Sequence, residues 1–296
     1  MTFHRGRFAP SPSGRLHFGS LVAALGSWLF ARADNGEWLV RIEDFDRERV
    51  VPGAADDILA TLHAFGFDSD RPVIHQSERD EVYRAALRRL EDAGQVYPCW
   101  CSRADLAAFG GIHPQNCIAR PDPARAPAWR LRVPDESIAF LDAVQGEQRQ
   151  DLRREVGDFV VWRVEKTVAY QLAVVVDDAA QGITAVVRGA DLLDSTPRQI
   201  LLQRLLDLPR LQYAHLPLAL GADGRKLSKH ELALPVDGDD PLPALRAALR
   251  FLGQPLPPAR NVRDLLSAAL EEFDAGRIPC APSAPAPFAA LRKDVC

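Results

Sequence analysis

The sequence predicts an α/β fold built around a parallel β-sheet, and two observations lead to this prediction. Compact apolar runs, such as "WLVRI" at 38–42, end in acidic residues and have the length of buried strands. Stretches with a helical spacing of apolar residues follow these runs, so that strands and helices alternate along the chain. This alternation places parallel strands in one sheet with helices on its faces.

The first third of the chain supplies these elements in order. "GRFAPSPSG" begins as a short strand and turns sharply at its prolines, and a helix is predicted to follow over 17–33. After the strand at 38–42, two further helices are predicted at 54–65 and 77–93. Ser77 with Asp80 predicts a capped start for the second of them.

The alternation of strands and helices stops from 97 to about 164, where cysteines, prolines and short alternating strands predict an insertion. The α/β pattern then returns with "AYQLAVVVDD", the apolar run "ITAVV" and a helix in "TPRQILLQRLLDL". "LPLALGADGRKLSKH" predicts a strand followed by a polar loop. The remainder is predicted to be helical and ends in a proline-rich tail.

Composition and charge restrict the functional classes. The formal net charge of −4 argues against a uniformly basic surface but allows a local basic patch. Five cysteines, an odd number, make a complete disulfide framework unexpected. No secretory leader is visible, and "LVAALGSWLF" is too short to span a bilayer. We therefore expect a cytoplasmic protein without a membrane partner.

The stretch "HFGS" at the predicted start of the first helix is a candidate nucleotide site. The free backbone N–H groups and dipole of a helix start bind phosphates well. His17 can donate a hydrogen bond to phosphate, and Gly19 lets a nucleotide approach the backbone beside Ser20. The alternative is a helix cap whose small residues serve only close packing.

The second candidate is "GRKLSKH", with two lysines three residues apart. Lys226 and Lys229, together with Ser228 between them, can grip a polyphosphate and neutralise charge on a leaving group. The alternative is a solvated basic loop.

In this order, the two stretches resemble the signature motifs of class I aminoacyl-tRNA synthetases. The blocks "RFAPSPSGRLHFGSL", "RIEDFDRER", "QSERDEVYRAALRRLEDAG", "YQLAVVVDDAAQGITAVVRGADLLDSTPRQILLQRLL" and "KLSKH" are similar to the glutamyl-tRNA synthetase group, from about Gly6 to His230. This resemblance implies a Rossmann-type nucleotide-binding domain that uses ATP with Mg²⁺, L-glutamate and a tRNA. It makes His17, Gly19, Lys226 and Lys229 the expected catalytic residues, and adds Ser20 and Ser228 to the ATP site.

The resemblance also implies a glutamate site, which chemistry supports. Glu43 can pair with the α-amine, while the guanidinium forks of Arg7 and Arg188 suit carboxylates. Tyr170 can close one wall. An alternative for Arg188 or Glu43 is a purely structural ion pair. The expected glutamate-binding residues are Arg7, Phe8, Ala9, Pro10, Ser11, Glu43, Tyr170 and Arg188.

"CWC" and "HPQNC" within the insertion predict a metal site. Cys99, Cys101, His113 and Cys117 form a common tetrahedral zinc set at short spacings. Relatives in the group often carry tyrosine where His113 stands. Four protein ligands leave no open position, so one structural Zn²⁺ per chain is expected. The alternative is reduced, buried cysteines beside a histidine in a turn.

The expected architecture is therefore a parallel-sheet catalytic domain, interrupted by a zinc-containing insertion and followed by a short helical region. The expected boundaries are 1–96 and 165–222 for the two catalytic halves, 97–164 for the insertion, and 223–296 for the lysine loop and a helical, stem-contact-like region without an anticodon-binding domain.

Length distinguishes members of the group, since fewer than about seventy residues follow His230. The chain therefore resembles truncated paralogues that activate glutamate without tRNA and transfer it to queuosine at the wobble position of tRNA(Asp). A monomer is expected. The alternatives are a nucleotidyltransferase with a small-molecule product and a catalytically silent tRNA-binding paralogue.

Overall fold

The computed structural model describes residues 5–114, 116–220, 236, 238–281 and 283–285. The strands of this part are β1 (Arg5–Phe8), β2 (Glu37–Ile42), β3 (Ile74–His75), β4 (Val96–Cys99), β5 (Ala128–Leu131), β6 (Ser137–Asp142), β7 (Gly146–Asp151), β8 (Val160–Trp162), β9 (Ala185–Gly189), β10 (Gln212–Leu216), β11 (Leu218–Leu220) and β12 (Ser283–Pro285). The helices are α1 (Phe18–Ala33), α2 (Ala54–Ala64), α3 (Asp80–Asp92), α4 (Arg103–Ala107), α5 (Leu152–Glu155), α6 (Tyr170–Ala180), α7 (Thr196–Leu205), α8 (Pro241–Phe251) and α9 (Val262–Glu271).

The predicted parallel sheet is confirmed. Strands β1, β2 and β3 are adjacent and parallel, with Arg7 opposite Leu39 in the register. Strands β9, β10 and β6 are also parallel to their neighbours, and β7 closes this second sheet as an antiparallel edge. The backbone N–H of Thr184 donates to the carbonyl of Arg5 at 2.9 Å, which brings β9 beside β1. The carboxyl ends of β1, β2, β9 and β10 therefore face one region, where α/β folds bind ligands.

The predicted insertion is divided between two sheets. Strands β4, β5 and β8 form a separate antiparallel sheet, and the cysteine-containing segment begins at its edge. Strands β6 and β7 instead extend the sheet of β9 and β10, where Asp142 pairs with Tyr213. The two ends of the stretch 97–164 stay a prediction, but its central hairpin is hydrogen-bonded to the parallel sheet.

Helix α1 is buried along most of its length, which explains its small residues. Ala24 and Ala31 have no exposed surface, and a Cβ at Gly26 would lie 2.5 Å from Cδ1 of Leu216 in β10. Ser27 accepts a hydrogen bond from the indole N–H of Trp38 at 2.9 Å. Close packing of α1 on the sheet therefore requires residues with little or no side chain.

Two hydrophobic cores lie on either side of the sheets. One joins α1 with α2, α8 and α9, and within it the rings of Phe18 and Phe251 meet edge to face with centroids 5.9 Å apart. The other joins α3, α6 and α7 with the strands of the middle region. The expected C-terminal helices are present and share a core with α1. Part of the proline-rich tail is extended, because β12 pairs in parallel with β11.

The predicted start of α3 at Ser77 is wrong. A short 3₁₀ turn occupies Gln76–Glu78, and the α-helix begins at Asp80. The backbone N–H and hydroxyl of Ser77 both donate to the carboxylate of Asp44, at 2.8 Å each. Ser77 is thus used by a tertiary contact, because a carboxylate after β2 competes successfully for the capping hydroxyl.

Candidate active site

A cleft of about 570 Å³ opens at the carboxyl ends of the parallel strands, a volume typical of small-ligand sites. It brings together every described residue that the sequence assigns to the glutamate or ATP site. These residues are Arg7, Phe8, Ala9, Pro10, Ser11, His17, Gly19, Ser20, Glu43, Tyr170 and Arg188. Lys226, Ser228 and Lys229 lie outside the described residues, while β11, which precedes them, forms part of the wall.

Arg7 is held in a fixed orientation by Asp178. Its Nε and Nη2 atoms donate to the two carboxylate oxygens of Asp178 at 3.1 and 3.2 Å, and both side chains are buried. Arg41 adds a third bond to Asp178 at 2.7 Å. Burial alone would raise the pKa of Asp178, but Arg7 and Arg41 outweigh it and hold that pKa below its ordinary value. Asp178 therefore stays ionised and orients Arg7.

Glu43 is a buried carboxylate at the end of β2. Its backbone N–H donates to the carbonyl of Pro10 at 2.9 Å, which ties the end of β2 to the turn after β1. Its carboxylate forms one long contact, 3.4 Å from Nη2 of Arg41. Burial raises the pKa of Glu43, although Arg41 and Arg7 oppose that rise. Ionised Glu43 therefore gains from a further cation in the cleft, such as an ammonium group.

Arg188, at the end of β9, is held by neutral partners. Its Nε donates to Nε2 of His215 at 3.0 Å, and its Nη2 donates to Oγ1 of Thr196 at 2.8 Å. Its Nη1 is buried without a hydrogen-bond partner in the described part of the chain. The guanidinium therefore has one nitrogen left for a ligand, and a carboxylate is the group that best satisfies it.

Tyr170 begins α6 and forms a wall of the cleft. Burial raises the pKa of its hydroxyl, with Glu43 acting in the same direction and Arg188 in the opposite one. The hydroxyl is therefore protonated and can donate a hydrogen bond. Eight positions later, the same helix carries Asp178, so α6 supplies both a wall of the cleft and the anchor of Arg7.

His17 fits both interpretations of "HFGS", a helix cap and a nucleotide site. It is the N-cap of α1, and its Nδ1 accepts a hydrogen bond from the backbone N–H of Ser20 at 3.3 Å, while it also lines the cleft. A Cβ at Gly19 would lie 3.2 Å from Cε1 of His17. Gly19 is thus small because the imidazole folds over it, and the helix start faces the cleft.

The predicted metal ligands cluster beyond the edge of the β4–β5–β8 sheet. The ligand atoms of Cys99, Cys101 and His113 all lie within 4.8 Å of one another, close enough to hold one ion. Cys117 stands outside this set, although its sulfur is 3.6 Å from that of Cys101. The structure therefore groups three of the four predicted ligands, with the fourth thiol beside them.

His113 has the tautomer that a metal ligand requires. Its Nδ1 faces the carbonyl oxygen of Pro114, which can only accept, so Nδ1 carries the proton. Its Nε2 consequently has a free lone pair and points to the sulfur of Cys99 at 3.2 Å. Tyr97 contacts the same Nδ1 and donates to Asp158 at 2.7 Å. Such outer partners orient a ligating imidazole.

Comparison with known proteins identifies the family. The family model described as tRNA synthetases class I (E and Q), catalytic domain, matches residues 4–125 and 112–264. The glutamyl-Q tRNA(Asp) synthetase of Xanthomonas campestris pv. campestris (strain 8004) is 59% identical over 280 residues, 93% of both chains. The chain belongs to the glutamyl-Q tRNA(Asp) synthetase family. A relative with the same name from Dechloromonas aromatica (strain RCB) is 57% identical over 86% of this chain and 88% of its own.

A solved structure of a glutamate tRNA ligase has the same catalytic fold as this member of the glutamyl-Q tRNA(Asp) synthetase family. The glutamate tRNA ligase of Elizabethkingia meningosepticum, solved in complex with its amino acid, superposes with a TM-score of 0.80 at 25% identity. That match covers 96% of this chain and 67% of the ligase. The class I synthetase catalytic fold is thereby confirmed, and the chain is an enzyme of the aminoacyl-tRNA synthetase type. In its described part, every helix is too short or too polar to cross a membrane.

The sequence analysis did not identify the residues that hold Arg7 and Arg188 in position in this glutamyl-Q tRNA(Asp) synthetase family member. Asp178 and Arg41 anchor Arg7, and His215 with Thr196 anchors Arg188. Acidic residues that end the apolar run "AYQLAVVVDD" were a signal for Asp178, because a buried carboxylate needs a cationic partner. For His215, the signal was one imidazole within the apolar run "YAHLPLAL".

Proposed function

We propose that this chain activates L-glutamate with ATP, without tRNA, and transfers glutamate to queuosine at the wobble position of tRNA(Asp). The observation that carries the proposal is one cleft in which two fixed guanidinium groups and a buried carboxylate converge beside a helix start. These groups complement the two carboxylates and the ammonium group of glutamate. The printed names of the relatives agree with this acceptor.

Each charged side chain of the cleft is assigned to one charged group of glutamate. Glu43 binds the α-ammonium group, because it is a buried carboxylate whose one side-chain hydrogen bond within the described residues is a long contact to Arg41. Arg7 and Arg188 bind the carboxylates through guanidinium nitrogens that Asp178 and His215 leave free. Tyr170 closes one wall, and the turn of Phe8, Ala9, Pro10 and Ser11 forms the floor between β1 and α1.

In the activation step, an oxygen of the α-carboxylate attacks the α-phosphorus of ATP. A carboxyl–phosphate bond forms, the bond to the β-phosphate oxygen breaks, and pyrophosphate leaves. The start of α1 with His17, Gly19 and Ser20 binds phosphate, while Lys226 and Lys229, with Ser228, stabilise the leaving pyrophosphate. Mg²⁺ that arrives with ATP neutralises phosphate charge. Positioning and fixed charge supply most of the catalysis.

In the transfer step, a hydroxyl of the queuosine cyclopentene diol attacks the activated carbonyl carbon. An ester forms, the bond between the carbonyl carbon and the phosphate oxygen breaks, AMP leaves, and the hydroxyl proton passes to water or to the AMP phosphate. We further propose that the chain acts as a cytoplasmic monomer. Residues 1–96 and 165–222 form its catalytic domain, and 223–296 contribute the lysine loop and a stem contact.

We also propose one structural Zn²⁺ in the stretch 97–164, held by Cys99, Cys101, His113 and Cys117. Two thiolates and an imidazole with an Nε2 lone pair lie together, the thiol of Cys117 is beside them, and this donor set fits zinc chemically. Bound zinc cross-links the chain segments that carry the ligands. Tyr97 and Asp158 orient His113 for that role.

Pyrophosphate exchange tests the activation step. Purified protein is incubated with ATP, labelled pyrophosphate and L-glutamate, with and without tRNA. We expect exchange that needs glutamate and no tRNA, and much less with glutamine. Exchange that appears only with tRNA contradicts tRNA-independent activation. Absence of exchange under both conditions favours the silent paralogue, and exchange without glutamate favours a small-molecule nucleotidyltransferase.

Charging assays test the acceptor. Labelled glutamate is offered with tRNA(Asp) that carries queuosine, tRNA(Asp) that carries guanine at the wobble position, and tRNA(Glu). We expect label only on the first, in an ester that survives removal of the 3′-terminal nucleoside. Efficient labelling of tRNA(Glu) would overturn the acceptor and leave the glutamate-activating cleft intact.

A further inference from the structure

A buried chain of three polar residues ends at Arg188. Asp142 at the end of β6, His215 in β10 and Arg188 in β9 are 2%, 0% and 5% exposed. Nδ1 of His215 lies 2.6 Å from Oδ2 of Asp142, and its Nε2 lies 3.0 Å from Nε of Arg188. Asp142 belongs to the hairpin from the middle of the chain, so this contact links that hairpin to the predicted glutamate site.

The partners of His215 determine its tautomer. The carboxylate of Asp142 can only accept, so Nδ1 of His215 carries the proton. Nε of Arg188 can only donate, so Nε2 of His215 is unprotonated and accepts. The other oxygen of Asp142 accepts three backbone N–H groups, from His215 at 3.0 Å, Val144 at 3.0 Å and Gln145 at 2.9 Å. The carboxylate is therefore fully paired and fixed in orientation.

Burial and the two neighbouring arginines favour the neutral state of His215. Burial lowers the pKa of His215, Arg188 and Arg7 act in the same direction, and Asp142 opposes them. The rings of His215 and Tyr213 are stacked, with centroids 6.3 Å apart, and the hydroxyl of Thr196 lies 3.2 Å from Nε2. A second proton on the imidazole would be carried by Nε2, which faces the Nε–H group of Arg188. Two donors would then face each other without an acceptor.

We propose that His215, oriented by Asp142, is a positioning residue that holds Arg188 ready for a substrate carboxylate. This inference rests on the proposed glutamate site. His215 and Thr196 occupy Nε and Nη2 of Arg188, which leaves Nη1 for the ligand. A neutral acceptor orients the guanidinium without neutralising it, in contrast to Asp178, which pairs with Arg7 as an anion. Arg188 is thus the arginine that selects an anionic ligand over an amide.

Asp142→Asn provides the sharpest test, since it preserves shape and reverses the tautomer. The amide oxygen still accepts the three backbone N–H groups, but the amide NH₂ donates to Nδ1 of His215. The imidazole proton then moves to Nε2 and faces Nε–H of Arg188. Calorimetric titration of the full chain with L-glutamate should show binding weaker by on the order of tenfold, while ATP binding is unchanged. Asp70→Asn, at another carboxylate that accepts a backbone N–H, is the matched control.

Two substitutions of His215 separate orientation from packing. His215→Gln places an amide oxygen near the position of Nε2 and preserves an acceptor for Arg188. His215→Asn preserves a donor to Asp142 and loses that acceptor. We expect glutamate affinity in His215→Gln to stay closer to wild type than in His215→Asn. Equal affinities for both, together with unchanged affinity in Asp142→Asn, would overturn the positioning role.

The tautomer itself can be observed without substitution. ¹⁵N NMR of histidine-labelled wild-type protein should show His215 protonated at Nδ1 and bare at Nε2, and the reverse in Asp142→Asn. A wild-type imidazole protonated at Nε2 would overturn the inference even if a variant fails to fold. Wild-type protein that binds no glutamate would instead overturn the proposed function, so the two failures are distinguishable.

Discussion

At the scale of single residues, the two arginines of the cleft differ in what holds them. Asp178 pairs with Arg7 through both carboxylate oxygens, so an anion compensates that charge inside the protein. Arg188 is held by an imidazole and a hydroxyl, so its charge is available to a ligand. Burial of a cation with neutral partners costs stability in the empty protein, and a bound carboxylate recovers that cost.

Substitution of Arg188 tests this difference. Arg188→Ala should weaken glutamate binding by about 1.5–3 kcal/mol, the range for a charge-assisted hydrogen bond. Arg188→Lys should recover only part of this loss, because one ammonium group cannot reach His215, Thr196 and a carboxylate in the geometry of a planar fork. Calorimetry with glutamate and glutamine measures both effects. Full recovery by lysine would contradict a fork-like contact.

Glu43→Gln should have opposite effects on glutamate affinity and on thermal stability. Burial raises the pKa of Glu43, so the folded state holds the carboxyl proton more readily than the unfolded chain. The contribution of Glu43 to stability is therefore largest at low pH and is lost as pH rises through the raised pKa. At neutral pH, Glu43→Gln should raise the melting temperature and abolish detectable glutamate binding. A lower melting temperature, with affinity retained, would contradict the role of Glu43.

At the scale of elements, α1 both packs against the sheet and presents its start to the cleft. Its small residues satisfy the first requirement, because Leu216 packs closely against Gly26. Ala24 and Ala31 are fully buried. His17 and Gly19 satisfy the second. Leu216 follows His215 directly in β10, so packing of α1 also positions the strand that orients Arg188.

Gly26→Ala tests the packing of α1. The added methyl group would lie 2.5 Å from Cδ1 of Leu216, and overpacking of this kind costs about 1–3 kcal/mol. The higher helix propensity of alanine offsets about 1 kcal/mol of that cost. We therefore expect a net loss of unfolding free energy in urea titrations. Leu216→Val should destabilise less in the Gly26→Ala background than in wild type, and strict additivity would contradict the contact.

The proposed zinc site is a second local contribution to stability, because Cys99 belongs to β4 of the β4–β5–β8 sheet. Metal analysis of purified protein should find one zinc ion per chain, and Cys99→Ser should lose that ion and lower the melting temperature. Cys280→Ser, at an exposed cysteine outside the cluster, is the control and should retain zinc. Zinc-free protein with freely reactive Cys99, Cys101 and Cys117 would contradict a metal site.

At the scale of the whole molecule, the C-terminal helices and the cleft are parts of one structure. Helices α8 and α9 share a hydrophobic core with α1, whose first residues line the cleft. Gln145 joins the β6–β7 hairpin to both β10 and the tail, since its amide donates to the carbonyls of His215 and Ala281 at 2.8 and 3.2 Å. Distant parts of the chain therefore support the same site.

Leu249→Ala tests this shared core. Leu249 in α8 is fully buried, and its truncation should lower the unfolding free energy by about 2–5 kcal/mol. Because α8 and α1 share one hydrophobic core, we expect tryptophan fluorescence and circular dichroism to give one coincident transition. Leu141→Ala, at a side chain 72% exposed, should leave stability almost unchanged. Two separate transitions in the wild type would contradict a common core.

The sequence by itself determined the parallel α/β fold, the family and eleven of the residues that line the cleft. It could do so because strand and helix periodicities are local, and because "HFGS" and the blocks from Arg7 to Arg188 are contiguous stretches. The misplaced start of α3 shows the limit of local patterns, since Asp44 lies thirty-three positions before Ser77 in the chain.

The tertiary structure alone decided how the charges of the cleft are held. Asp178 and Arg7 are 171 positions apart, and Asp142 and His215 are 73 apart. No sequence period links such pairs, because strand order and helix packing bring them together. For the same reason, only the structure decided that the hairpin of β6 and β7 joins the parallel sheet, and that its Asp142 sets the tautomer on which the orientation of Arg188 depends.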